Sequence, residues 1–276
     1  MQKRSSERSC TRSGFARSVL RCSNEKGTTL TTDVFTGKAA HYAKYRWDYA
    51  PEAIQAIFDV TGISEQSVVA DIGAGTGILT RHFIGQVKQI WAVEPNADMR
   101  HIAADTLGGY PSCHIVDGRA EATTLADDSV DLITAAQATG WFEPQPTRAE
   151  FLRVLKPGGW FAELVNRGTD DALGKALEPI YPPETDTSTL MKRRGTPLTF
   201  YYGHADFYRW TFAFTTRHTW ETFIGALSTA SYAPHENSAF YADFERAARR
   251  VFDCFSTDGV LTASAVTELC LGQMTP

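Results

Sequence analysis

The sequence predicts an α/β fold in which buried strands alternate with helices, and three observations carry the prediction. The apolar run from Ser67 to Ile72 holds an acid, Asp71, and opens directly into Gly73-Ala74-Gly75-Thr76-Gly77. About twenty residues on, a second run, Ile90-Trp91-Ala92-Val93, ends in Glu94-Pro95. Further along, a helical pattern over Glu150 to Leu155 stops at Lys156-Pro157-Gly158-Gly159, the turn expected before another strand.

Taken in order, Ser67 to Ile72 reads as a buried strand. Ile78, Leu79, Phe83 and Ile84 have the spacing of the inward face of a following helix. Glycines between the two let the backbone come close to a ligand in dihedrals a Cβ forbids. A G-x-G-x-x-G reading from Gly73 puts Ile78 where the third glycine belongs, so the loop is unlike a dinucleotide pyrophosphate cradle. Thr147 and Glu150 form a capping box for the helix that Gly158 and Gly159 end. Phe240, Phe244, Val251, Phe252 and Phe255 fall near helical spacing, and Val260 to Leu271 reads as a closing strand.

The order acid, G-x-G-x-G, second acid resembles the class I S-adenosylmethionine-dependent methyltransferases, and the resemblance runs from roughly Phe35 to Leu271. It implies a doubly wound, seven-stranded, mostly parallel Rossmann-like sheet with helices on both faces. It also implies S-adenosyl-L-methionine as cofactor. Asp71 would then face the cofactor amine, and Gly73, Ala74, Gly75 and Gly77 would form the loop. Glu94 would take both ribose hydroxyls, followed by Pro95 and Met99. Val116-Asp117-Gly118-Arg119-Ala120-Glu121 is similar to the segment lining the adenine, which brings in Asp117, Ala120 and Glu121; Val130-Asp131-Leu132-Ile133 matches the fourth strand.

Phe35 to Arg46 resembles the amino-terminal segment that folds over the methionine half of the cofactor in small-molecule methyltransferases, with Tyr42 and Arg46 as its contacts. Trp47 and Ala50 stand where prolines are common, which alters the turn. Ala135 to Glu143 is similar to a segment usually reading A-Q-A-x-H-W-F-D. It puts Gln137 at the carboxyl end of a strand, where open α/β sheets hold ligands. Gly140 replaces the histidine and, with Trp141, borders the substrate.

Residues 34–276 are expected to form one domain, with 34–60 as a lid and 168–220 as a substrate cap. Seventeen aromatics lie between Tyr181 and Phe255, with the irregular stretch from Pro182 to Pro197 ahead of most of them. An aromatic cap favours a flat or apolar small molecule, with Tyr201 and Trp210 as contacts. Residues 1–33 carry seven bases against three acids, whereas 20 bases face 29 acids in the rest. That basic, Ser-rich stretch is expected to be a disordered extension, with a targeting segment as the alternative. An acidic body disfavours nucleic acid. No run approaches the about eighteen apolar residues of a membrane span, so no membrane partner is expected. Five cysteines without C-x-x-C pairs or zinc-spaced histidines point to a reducing cytoplasm and no structural metal. Oligomeric state is not legible.

A sulfonium methyl is already electrophilic, so the work expected of the protein is to align an acceptor lone pair in a site that excludes water. For an acceptor that must lose a proton, His41, Tyr42, His204 and His218 are the candidate bases. The expected reaction is methyl transfer to a small aromatic or apolar metabolite. The alternatives are methyl esterification of a small carboxylic acid bound by Arg46, Arg167 or Arg193, a binding protein without catalysis, and transfer of another group of the cofactor.

Overall fold

The computed structural model describes residues 32–181 and 196–276. The expectations for the basic extension before residue 32, and for the irregular stretch over 182–195 with Arg193, lie outside the described residues. The strands form one seven-stranded sheet in the order β3-β2-β1-β4-β5-β7-β6. β1 (Val68–Ile72), β2 (Gln89–Val93), β3 (Cys113–Val116), β4 (Val130–Ala136) and β5 (Leu155–Gly168) pair in parallel. β7 (Leu261–Gln273) is inserted antiparallel between β5 and β6 (Tyr208–His218). The chain winds outward from β1 to β3, then returns to β4 on the other side of β1, which makes the sheet doubly wound. The carboxyl ends of β1 and β4 part at that reversal and leave a crevice.

Alternating residues of the strands feed two cores. On one face Val69, Ile90, Leu132 and Leu164 meet Ala53, Ile54 and Ile57 of α2 (Pro51–Thr61), with Trp210, Phe212 and Phe214 of β6 packed alongside. On the other, Ile72, Ile133 and Phe161 meet Phe151 of α4 (Pro144–Val154) and Tyr201 and Tyr202 of α6 (Leu198–Tyr202). α3 (Ala97–Leu107) follows β2. α5 (Asp171–Leu177), α7 (Trp220–Ser228) and α8 (Tyr241–Phe255) share smaller clusters built on Leu173, Phe223, Phe244 and Phe252. α1 (Ala39–Tyr45) lies on α7, where Lys44 and the Tyr45 hydroxyl both bond Glu221 at 2.9 Å. Just ahead of α1 the buried Lys38 ammonium donates to the carbonyls of Ala230 (3.1 Å) and Ala233 (2.7 Å). Among the described residues no helix is long and apolar enough to cross a membrane.

Three expectations need correction. The segment after the glycine loop is not a continuous helix but turns around a short 3-10 stretch, Thr80–His82, although Ile78, Leu79 and Phe83 are buried as predicted. Left-handed Gly77 (φ 84°) and Gly85 (φ 79°) bracket it and leave no room for a helix of ordinary length. Thr147 and Glu150 do not cap α4: the helix starts at Pro144, and both residues lie inside it. Glu150 instead accepts from the Thr123 amide (2.7 Å) and from Arg153, while α4 passes into β5 at Leu155, so Gly158 and Gly159 belong to the strand. Part of the expected cap, residues 208–218, is the edge strand β6.

Candidate active site

At the central reversal a cavity opens between the glycine loop, the ends of β2 and β4, and the amino-terminal segment. Of the predicted cofactor contacts, Tyr42, Gly73, Gly75, Glu94, Pro95, Met99, Ala120, Glu121 and Gln137 lie in its wall, together with Phe35, Arg119 and Phe142. The Gly73 and Ala74 amides donate to Val93 carbonyl oxygen at 2.8 and 3.2 Å, binding the loop to the end of β2. Gly73 (φ 71°) is pressed so close that a Cβ would fall 2.7 Å from Ala138 Cβ. Gly75 (φ 59°) has only Tyr42 Cε1 near its Cβ direction, at 3.9 Å, so the missing side chain leaves space for a ligand between loop and lid. Asn96 caps α3 by accepting from the Met99 amide at 3.1 Å, which fixes Met99 in the wall.

The two strand-terminal acids do different work. Glu94 faces the cavity, accepting from the Gly75 amide (2.9 Å) and the Asn96 amide (2.8 Å). A carboxylate has lone pairs for about two more donors. Burial raises its pKa. Asp71 lies behind the loop, 1% exposed and outside the cavity wall. Its two oxygens accept from Thr80 Oγ1 (2.6 Å) and Thr134 Oγ1 (2.9 Å). Burial pushes its pKa up to about 6. The expectation that Asp71 faces the cofactor amine therefore gives way to a role under the loop.

Other predicted contacts are also displaced from this wall. Ala74 and Gly77 shape the loop without lining the cavity. Asp117 turns outward to pair with Arg100 at 3.0 and 3.1 Å. Arg46 reaches a second, larger chamber of about 770 Å³ that shares Phe35, Tyr42, Gln137 and Trp141 with the first. Gln137, at the junction, has a left-handed backbone (φ 58°) held by its amide bond to Leu164 carbonyl and its side-chain bond to Asn166 carbonyl, 2.9 and 3.0 Å. A non-glycine residue kept in that region at a strand end marks a position fixed by its surroundings for a site.

The chamber is polar. Gly140 and Trp141 lie in its wall, joined by Arg46, Thr139, Glu163, Asn166, Arg167, Arg209, Thr211 and Glu268. Tyr201 is instead buried against Phe161 and Phe200. Trp210 points to the α2 side because β6 alternates, which turns Arg209 and Thr211 toward the chamber and Trp210 away. None of the three candidate histidines lines either cavity. His41 pairs with Glu236 at 3.6 Å on the surface. His204 engages Gln273 carbonyl (2.9 Å) and the Asp206 amide (3.1 Å) through its two nitrogens. His218 is buried beside Trp47 and Phe223, and burial lowers its pKa. Of the four proposed bases only Tyr42 faces the site. Sequence reasoning missed Glu163 and Arg209; an acid inside the apolar run Trp160 to Leu164 and the period of two in β6 were the available signals.

Residues 70–162 match a family model described as a methyltransferase domain. An uncharacterized methyltransferase of Schizosaccharomyces pombe is 34% identical over 141 residues, 51% of this chain and 53% of the relative. A malonyl-[acyl-carrier protein] O-methyltransferase of a Marinomonas species is 27% identical over 135 residues, 47% of this chain and 49% of the relative. The chain spans about half the length of these curated relatives. A solved structure from Anaeromyxobacter dehalogenans, assigned to the type II methyltransferases, superposes with TM-score 0.59 at 22% identity over 84% of this chain and 99% of that one. This last likeness is one of fold.

Proposed function

We propose that the chain, whose residues 70–162 match a methyltransferase domain, is a class I S-adenosylmethionine-dependent methyltransferase and that its acceptor is a small molecule bearing a carboxylate. The residues present fit the cofactor: a carboxylate at the end of β2 with free acceptor capacity, an apolar flank at Pro95, Met99 and Ala120, and a loop whose Gly75 leaves the approach open. When bound, S-adenosylmethionine supplies a methyl group on a positively charged sulfur. Tyr42 and Phe35 close the cavity from the lid side, their rings 6.2 Å apart, and exclude water from the junction with the chamber.

One observation carries the choice of acceptor. Arg46 and Arg209 line the chamber, and neither pairs with a carboxylate among the described residues. Arg46 meets neutral partners, the Thr229 hydroxyl at 3.3 Å and the Tyr42 side chain, whose ring lies 5.4 Å away. Guanidinium groups left without an anion in a recess suit a carboxylate ligand. The aromatic wall expected of the cap is not what the described residues build, since Tyr201, Tyr202, Phe223, Phe244 and Phe252 are core. The malonyl group named for the Marinomonas relative carries a free carboxylate, which agrees with this reading.

The test is transfer of labelled methyl from the cofactor to a deproteinised metabolite extract, with products identified by mass spectrometry. Labelled molecules should contain a carboxyl group or its methyl ester, and Arg46→Gln should raise the acceptor KM about tenfold or more while leaving cofactor affinity within about twofold. Products devoid of carboxyl functions would exclude the reading.

A further inference from the structure

Three charges in the chamber, Arg46, Arg209 and Glu163, form no close ion pair among the described residues, and their signs specify a ligand. β5, β7 and β6 lie side by side, with Glu163 opposite Cys270 and Cys270 opposite Arg209. Residues directly opposite in a sheet share a face, so Glu163 and Arg209 project into the chamber from strands about 10 Å apart. Arg167 and Glu268 cancel one another through a 2.9 Å ion pair. Glu163 has only the neutral Thr139 hydroxyl, which donates to Oε1; its Oε2 has no hydrogen-bond partner among the described residues. Arg46 enters from the lid.

The groups without a close counter-ion are therefore two guanidinium groups and one carboxylate, with Arg167 and Arg209 acting on Glu163 only at longer range. An uncharged or purely apolar acceptor would cover the half-buried Arg46 and Glu163 without pairing them, which is costly, while Arg209 keeps its exposure to water. A simple monocarboxylate would satisfy the cations and leave Glu163 facing an added negative charge.

We propose that the acceptor is an amino acid or a closely similar zwitterion, its carboxylate held by Arg46 and Arg209 and its amine by Glu163, and that the methyl goes to nitrogen. This rests on the enzyme reading above and narrows it. An ammonium has no lone pair, so one proton must leave first. Glu163 accepts that proton, the freed lone pair forms the carbon–nitrogen bond as the methyl–sulfur bond breaks, and the sulfonium becomes a neutral thioether. The methylated nitrogen is again cationic, and the proton on Glu163 passes to water. Burial, the largest influence, raises the proton affinity of Glu163. The Thr139 hydroxyl and the facing Arg167 and Arg209 oppose it, and Glu268 adds to it. Cys270, the remaining titratable neighbour, is itself held protonated by burial, with a pKa of about 11.

The experiment uses the full chain, 13C-methyl S-adenosylmethionine and a deproteinised yeast metabolite extract supplemented with the twenty protein amino acids. NMR and mild alkaline hydrolysis then locate the label. The expected product carries an alkali-stable N-methyl group and a carboxylate. Glu163→Gln should lower turnover at least tenfold at pH 7 with cofactor affinity by calorimetry within about twofold of the parent, and the deficit should shrink as pH rises toward the pKa of the amine. Thr139→Val, which keeps the carboxylate, should show a smaller loss in the same direction. Calorimetry of the identified acceptor with the chain alone should show weaker binding for both Glu163→Gln and Arg46→Gln. An alkali-labile methyl ester, or an unchanged rate for Glu163→Gln, overturns the zwitterion inference and leaves the carboxylate reading standing. Label on a molecule without a carboxyl group, or no label transferred at all, overturns both.

Discussion

Asp71 keeps its carboxylate in a nearly dry site, bonded by the hydroxyls of Thr80 and Thr134 and by the Thr80 backbone. Its pKa of about 6 against an ordinary 3.8 makes this a stability statement. Because the folded value is the higher, the associated stabilisation is fully present below pH 3.8 and is lost as pH rises through about 6. The difference amounts to roughly 3 kcal/mol. Asp71→Asn keeps the shape without the charge, so the difference in unfolding free energy between parent and variant should change by about that amount in the variant's favour between pH 3.5 and 7, while the other acids contribute equally to both. Urea titrations at several pH values check this, and parallel curves would exclude it. Both strand-terminal acids were legible in the sequence, since each follows an apolar run. Their division of labour was not, because the hydroxyls that engage Asp71 come from Thr80 and from Thr134, which pairing of β1 with β4 brings alongside. Glu163 was hidden for a similar reason: its chamber exists only once β7 has entered between β5 and β6.

Within the elements, the glycine loop separates two kinds of constraint. Gly73 faces protein and Gly75 faces the cavity, although both have left-handed backbones. Alanine at either adds strain of about 1–2 kcal/mol. At Gly73 it also drives a Cβ into Ala138, so Gly73→Ala should lower the melting temperature by several degrees more than Gly75→Ala. Gly75→Ala should instead cost cofactor affinity out of proportion to its stability loss. Melting curves with and without S-adenosylmethionine separate the two, and equal behaviour would exclude the distinction. The strand–loop pattern that located these glycines follows from periodicity and turn chemistry, both local. In the segment after Gly77 the buried residues satisfy a helical period while the flanking left-handed glycines forbid the helix, so periodicity alone predicts one that does not form. In β6 the many aromatics drew the reading toward a cap, although Trp210, Phe212 and Phe214 alternate with Arg209, Thr211 and Ala213 as a half-buried strand must.

At the scale of the whole molecule, the doubly wound core follows from the order of its first strands, whereas the lid depends on contacts spanning most of the chain. Lys38 donates to Ala230 and Ala233, and Tyr45 packs against Gly225 so closely that a Cβ there would meet its ring at 2.5 Å. Burial lowers the Lys38 pKa to about 8, so its ammonium is held at a cost that the two carbonyls offset. Lys38→Ala should release the lid without unfolding the sheet. Amide exchange over residues 36–45 should accelerate at least tenfold while β1 and β4 keep their protection. Exchange that accelerates equally in lid and sheet would show that the contact stabilises the fold generally.

The same bridge sets a sequence of events during synthesis. Residues 32–45 leave the ribosome well before residues 220–233, which form the surface that seats them. β6, in turn, has no strand to pair with until β7, made after it, enters between it and β5. A nascent chain therefore presents its glycine loop and Glu94 long before it has a roof over them or a wall opposite Arg46. The ability to shelter the proposed methyl transfer from water arrives only once β7 has been made.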